Sequence, residues 1–416
     1  MRPLSGSALT GVVLTFALAV FSAPAAAQYV PPAGSWEVRS PESVGMNAAA
    51  IRAAVDFVRL ADNPANRDQE LSQAQSFGRE PLGEGIGPFK VRDDPAGLII
   101  RNGYIVAEWG DPDRVDMTHS VTKSFLSTTV GLALEDGLIR NLDDRVRGYM
   151  PPIQLPLGDG EPGVDRNNFG GPDPVLLFES DHNRQITWRH LLQQNSAWEG
   201  TLWGKPDWAD RPDRDPANWL NGVRAVPGTE YEYNDTRVNL LALAALSVTR
   251  RPLPQVLHER VMGPIGASST WRWHGYENSW VTVDGAQVQS VSGGGHWGGG
   301  MFINARDMAR FGLFTLRRGN WDGTQLLEDS WFTEATTPSG PNAGYGFMNF
   351  FLNRPNAEGR KMYPSAPDEA WAHLGNGTNM VYVDPVNDVV IVARWIAGGS
   401  IDEFIGMVLN SIGQND

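Results

Sequence analysis

Residues 47–62, NAAAIRAAVDFVRLAD, place apolar side chains at helical spacing behind an asparagine that can cap, which predicts an N-terminal helix. The pattern then changes period. AGLIIRNGYIVAEWG (96–110) is two β-rich runs joined by Asn102-Gly103, a strong hairpin signal. Next comes SVTKS (120–124), which opens the apolar helical run FLSTTVGLALEDGLI, expected to stop at Gly137. From about 140 to 290 short helical patterns, ITWRHLLQQ (186–194) and TRVNLLALAALSV (236–248), alternate with Pro-, Gly- and Asp-rich loops such as LGDGEPGVDRNNFGGPDP. Strand patterns return late. TNMVYVDP and DVVIVARWIAG flank Pro385-Val386-Asn387 as a second hairpin, and SIDEFIGMVLNSI predicts a terminal amphipathic helix.

Strands near both ends, joined by hairpins and separated by a long insertion, predict a mixed α/β (α+β) fold. Its sheet is mainly antiparallel, built from both ends of the chain and flanked by terminal helices. A large, mostly helical region is inserted between its halves. The expected division is a signal peptide over 1–27, an extension over 28–42 and one domain over 43–416. In that domain the sheet part covers about 43–120 and 290–416, and the helical part about 121–289.

The first residues have another explanation than the fold. One Arg, an apolar run from Leu9 to Phe21 and the small-residue end Ala25-Ala26-Ala27 form a secretory signal pattern. Cleavage is expected after Ala27, leaving a periplasmic or secreted protein with no membrane anchor. The apolar run is shorter than the roughly 20 residues that span a bilayer. Cysteine is absent, which excludes disulfides, thiolate metal sites and a cysteine nucleophile. A formal net charge of −14 argues against nucleic acid as a partner. The charged cluster DWADRPDRD (207–215) carries both signs and is expected to be a solvated loop, not a metal site.

The chain has no G-x-S-x-G elbow, no H-E-x-x-H and no phosphate loop, and its seven histidines show no ligand spacing. GGGHWGGG (293–300) lacks the strand–turn–helix setting of a dinucleotide site. No metal or organic cofactor is expected. Ser120 and Lys123 remain, at i and i+3 on one helix face, within hydrogen-bond reach of one another. Either Ser120 caps a helix with Lys123 on its first turn, or Lys123 takes a proton from a nucleophilic Ser120.

Five segments together decide for chemistry. SVTKSFLSTTVGLALEDGLI, ITWRHLLQQNSAWEG (186–200), PGTEYEYNDTRVNLLALAAL (227–246), GGGMFINARDMARFGLF (298–314) and AHLGNGTNMVYVDPVNDVVIVA (372–393) occur in this order. They resemble the motifs of the serine β-lactamase and penicillin-binding superfamily. The closer match is its class C-like branch of β-lactamase-fold esterases, D-amino-acid peptidases and nylon-oligomer hydrolases. The resemblance implies Ser120 as acylated nucleophile, Lys123 as its base partner and Tyr233 as the tyrosine that passes a proton to the leaving group. It also implies an oxyanion hole made by the backbone amides of Ser120 and Asn376, beside Gly375.

Two positions depart from the family. Its second motif ends in Asn where this chain has Asp235, and its third motif, lysine-Thr/Ser-Gly, reads His373-Leu374-Gly375. Leu374 cannot hydrogen-bond a substrate carboxylate, and Asp235 would repel one. The resemblance therefore implies a serine hydrolase acting first on small uncharged esters, exported on the strength of the signal pattern above. Small or nylon-type amides come next, and β-lactams or peptidoglycan peptides third. A catalytically silent homologue that binds cell-wall peptide or another ligand in the same cleft is the alternative of another class. Asp235 near Lys123 would also raise the lysine's pKa. His373 is expected to line the substrate pocket. One of Trp198, Trp203 and Trp208 at most is expected to meet substrate, Trp198 foremost.

Overall fold

The computed structural model describes residues 28–151, 176–221 and 224–413. The signal pattern and the loop quoted from the 140–290 region lie outside them. A six-stranded antiparallel sheet runs in the order Phe350–Phe351, Trp371–Gly375, Asn379–Asp384, Val389–Arg394, Ala96–Arg101, Tyr104–Trp109. Strands from the two ends of the chain pair at its centre, Ala96 opposite Arg394 and Arg101 opposite Val389. Both expected hairpins form. Asn102 and Gly103 take φ of 52° and 86°, as a tight primed turn requires.

Each face of the sheet is covered. On one side lie helix Ala48–Leu60, capped by the Asn47 side chain on the Ala50 amide, and helix Ile401–Asn410. Their apolar faces meet Ile99, Tyr382 and Ile391. On the other side helix Ala305–Leu316 brings Gly312 against Val381 and Val390; a methyl group there would collide with Val381. Beyond it the helical region packs into a larger core around helices Thr122–Glu135 and Asp235–Thr249. The extension is tied down as well. Tyr29 stacks on Tyr104, and buried Arg310 donates to the carbonyls of Pro31, Pro32 and Ser35.

The stretch expected to be helical up to 289 is not uniformly so. Arg272–Val283 and Ala286–Val291 form a long hairpin turned by Asp284-Gly285, and they join a second sheet with Asp116–Met117 and Gly300–Ile303. This small sheet delivers the chain to Ser120: Met117 pairs with Phe302, and the Thr118 amide bonds to the Met301 carbonyl.

Candidate active site

Ser120 sits in a single 3-10 turn, His119–Val121, that feeds helix Thr122–Glu135. His119 just before it has φ 48°, a left-handed conformation that a non-glycine residue adopts at a cost and that redirects the chain sharply. Lys123, one turn on, is fully buried. Its Nζ donates to Ser120 Oγ at 2.9 Å, and Ser120 Oγ in turn faces the Gly294 carbonyl at 3.4 Å. The cleft above them holds about 220 Å³, and Tyr233, Asp235, Phe77, Phe350, Leu374 and Asn376 line it.

The other side of Lys123 is ionic. Asp235 Oδ1 accepts from Nζ at 2.7 Å, while Asp235 Oδ2 accepts from Arg211 at 3.0 Å. Arg211 also pairs with Asp210, which accepts the Asp235 backbone amide. Burial disfavours the Lys123 ammonium, but the adjacent Asp235 carboxylate outweighs it and holds the lysine above its ordinary pKa, as Asp235 at that position led us to expect. Burial likewise opposes the Asp235 charge, and Lys123 and Arg211 together drive its pKa well below the usual range. Gly294 closes this pair from above. A Cβ on it would overlap both Asp235 Oδ1 and Lys123 Nζ.

Tyr233 precedes the cap of helix Asp235–Thr249, where the Asn234 side chain accepts the Arg237 amide. Its ring lies between two cations, with Lys123 Nζ 4.6 Å and the Arg211 guanidinium 4.9 Å from the centroid. The ring lines the cleft beside Ser120, while none of the hydrogen bonds among the described residues joins its hydroxyl to Ser120 or Lys123. Across the cleft the strand Trp371–Gly375 ends against the nucleophile. A Cβ on Gly375 would meet the Thr118 carbonyl and come within 3.1 Å of the Ser120 nitrogen, so only glycine lets the strand approach. Asn376 follows in the cleft wall.

The structure thus assembles Ser120, Lys123, Tyr233, Asp235, Gly375 and Asn376, and corrects three expectations. His373 does not line this cleft. Strand alternation puts it on the same face as Gly375 but about 6.6 Å further in, beneath helix Thr122–Glu135, near Ser124 and Thr128 and 5.5 Å from the Phe311 ring. Burial lowers its pKa to about 3, and neither ring nitrogen has a hydrogen-bond partner among the described residues. Trp198 is core: its Nε1 donates to the Leu177 carbonyl, and its own carbonyl accepts from Arg237. Trp203 is buried with it, and Trp208 stacks on Trp219, so these rings pin the loop and line no part of the cleft. The cluster 207–215 is solvated only in its second half, 211–215. Asp207 and Asp210 are each 2% exposed, satisfied by Arg237 and Arg211.

Arg211 lines the cleft and Asp210 stands behind it, although the sequence reading had them solvated, and His296, which that reading left open between pocket wall and core, is in the cleft wall. The alternation of signs in ADRPD was the available signal, since buried acids and bases occur in pairs. Glu80, Asp210 and His296 bring one ligand atom each within 4.8 Å, a set that could hold a cation. Asp210 already carries the Arg211 guanidinium, though, and His296 Nε2 lies 2.9 Å from Glu80, so each of the three groups already has a protein partner.

A model of the Beta-lactamase family matches residues 97–395. A 6-aminohexanoate-dimer hydrolase from Paenarthrobacter ureafaciens is 25% identical over 310 residues, which cover 71% of this chain and 70% of the relative. EstCE1, described as a hydrolase with promiscuous acyltransferase activity, shares the fold at TM-score 0.53 and 16% identity, over 88% of this chain and 99% of its own. SurE shares it at TM-score 0.52 and 14% identity, over 88% and 78%. With the family match spanning both the Ser120–Lys123 turn and the strand that abuts it, the chain belongs to the beta-lactamase family and is a serine hydrolase of that fold.

Proposed function

We propose that this protein is an exported carboxylesterase that cleaves small uncharged esters through an acyl-enzyme on Ser120. The observation that carries the reading is the 2.9 Å contact between Ser120 Oγ and the buried Lys123 amine at the base of a cleft of about 220 Å³. Ser120 Oγ attacks the ester carbonyl carbon as its proton passes to Lys123 in the free-amine form. The carbonyl oxygen takes up the electron pair and is received by the Ser120 and Asn376 amides. Collapse of the tetrahedral species breaks the C–O bond. Tyr233, between Lys123 and Arg211, relays the proton to the departing alkoxide, and water repeats the sequence on the acyl group.

Charge supports the preference for uncharged substrates. Lys123 and Arg211 are matched by Asp235 and Asp210, which leaves no spare cation for a carboxylate, and Leu374 stands where the family has a hydroxyl. Phe77 and Phe350 offer apolar walls for an acyl or leaving group. The 6-aminohexanoate-dimer hydrolase relative favours one second reading, a small amide substrate. Export rests on the Leu9–Phe21 run and Ala25-Ala26-Ala27.

The test is intact mass after incubation with a fluorophosphonate, beside turnover of p-nitrophenyl butyrate and of the linear 6-aminohexanoate dimer, in wild type and Ser120→Ala. A single adduct and ester turnover, both lost in the variant, are expected. Faster dimer than ester cleavage would transfer the assignment to the amide. A folded wild type with neither adduct nor turnover would leave a binding protein in place of an enzyme.

A further inference from the structure

Arg394 is a charged side chain that the mechanism above does not use. It ends a central strand of the six-stranded sheet and is 2% exposed, yet none of the ion pairs among the described residues includes it. Its donors go to neutral oxygens instead. Nη2 donates to the Met117 carbonyl at 2.8 Å, Nη1 to the Ile303 carbonyl at 2.6 Å and Nε to Asn379 Oδ1 at 2.9 Å. Asn379 passes the connection on, its Nδ2 donating to the Asn376 carbonyl at 2.9 Å.

These contacts have a common destination. Met117 lies three residues before Ser120, at the end of the small-sheet strand that delivers it. Asn376 lines the cleft and is the residue whose amide the family resemblance pairs with that of Ser120. One guanidinium therefore holds, directly or through Asn379, both backbone segments that supply the oxyanion donors. A buried cation without a carboxylate is costly, and folds seldom keep one where an apolar residue would serve. Its rigid planar fork fixes three acceptors at once, which lysine cannot copy. Its charge, which the nearby buried Asp116 carboxylate offsets only in part, also raises the potential where negative charge develops. Burial lowers its pKa only to about 10, so the charge persists at neutral pH. The neighbouring imidazole feels it: burial first, then Arg394, lower the His119 pKa to about 4.

We infer that Arg394, acting through Asn379, is the positioning residue of the oxyanion hole: it sets the spacing of the Ser120 and Asn376 amides and supplies the positive potential behind them. The inference rests on the Ser120 acyl-enzyme reading. Donors placed for the tetrahedral oxygen raise kcat more than they tighten the ground-state ester.

The experiment compares wild type with Arg394→Lys, Arg394→Met and Asn379→Ala. It measures kcat and KM for p-nitrophenyl butyrate and Ki for phenylboronic acid, whose tetrahedral adduct with the serine places an oxygen between the amides. Circular dichroism and Tm report the fold. In folded variants kcat should fall about 10–100-fold at nearly constant KM, the boronate Ki should rise in step, and Arg394→Lys should recover part of both. If the Arg394 variants do not fold, Asn379→Ala carries the test alone, because it severs the link to Asn376 and leaves the guanidinium in place. A lowered Tm with wild-type kcat and boronate Ki would make Arg394 purely structural and overturn the inference. Ser120→Ala separates the two levels: turnover that survives it sinks the acyl-enzyme reading itself, whereas its loss beside wild-type Asn379→Ala sinks only the inference.

Discussion

On one side of Ser120 the cleft wall is charged: Lys123, Asp235, Arg211 and Asp210 follow one another, each in contact with the next, all buried except Arg211, which reaches the surface. On the other side the strand Trp371–Gly375 brings Leu374, Gly375 and Asn376 to the cleft, with no charged side chain among them. The first wall has the groups that can move a proton. The second has backbone donors that can receive an electron pair but cannot titrate. The difference teaches how one small cleft keeps the two tasks from interfering. Charges of the first wall cancel among themselves, so little net field reaches substrate, and a fixed cation stands behind the second.

Filling either glycine that seals a wall should give the largest effect. Gly294→Ala forces apart Lys123 and Asp235, and Gly375→Ala drives the strand away from the Ser120 amide. Each should lower kcat/KM for p-nitrophenyl butyrate about 100-fold or more, since misplacement by an ångström is enough. The two should differ in boronate affinity, with Gly375→Ala losing it and Gly294→Ala largely keeping it. Equal losses of boronate affinity would show that the walls do not divide the work.

Asp235→Asn sharpens the comparison from within the charged wall and installs the residue that the resembling family has there. Lys123 must be a free amine to accept the Ser120 proton, yet Asp235 raises its pKa, so wild-type kcat/KM should still be climbing at alkaline pH. Removing the carboxylate lowers the lysine pKa, increases the amine fraction at neutral pH and moves the rising limb down by about 1–3 pH units. Rates at pH 7–8 should rise as long as Ser120 and Lys123 stay in contact. An unmoved limb would take the base role from Lys123 and give it to Tyr233.

Much of this arrangement was legible in the sequence because it depends on local patterns. The Asn47 cap, the Asn102-Gly103 turn and the paired strands at both ends follow from period and turn chemistry, and the Ser120–Lys123 contact follows from i, i+3 spacing. Asp284-Gly285 between VTV and AQV was an equally plain hairpin signal, outweighed by the helical texture around it. Long-range placement was not legible. Whether His373 reaches the cleft depends on how deep its strand runs beneath helix Thr122–Glu135. Whether Asp210 and Arg211 are solvated depends on a cation–carboxylate partnership with Asp235, 24 or more residues away. The burial of the tryptophans was decided by the loop's need for anchors, with Trp198 held from both sides.

The smallest effect concerns His373, whose position behind the uncharged wall keeps it out of the chemistry. It is buried and neutral, with both nitrogens unpartnered among the described residues and its pKa lowered to about 3 from an ordinary 6.5. In the unfolded chain it binds a proton as pH falls through 6.5, while the folded protein resists protonation until about 3. Folding stability is therefore lost progressively across that window, and the loss is absent above it. His119, lowered to about 4, acts in the same direction over a narrower range. His190 and His274, also lowered by burial, add to the same trend, and His373→Leu removes one of these contributions and fills the site with a side chain that needs no partner. The variant should lose less Tm than wild type between pH 7.5 and pH 4.5, with kcat/KM at pH 7.5 changed less than about twofold, the usual reach of a substitution away from the reacting atoms. An identical acid sensitivity would mean that His373 finds a proton partner in solution. A tenfold drop in kcat/KM would return it to the cleft, and the second wall would then contain a titratable group after all.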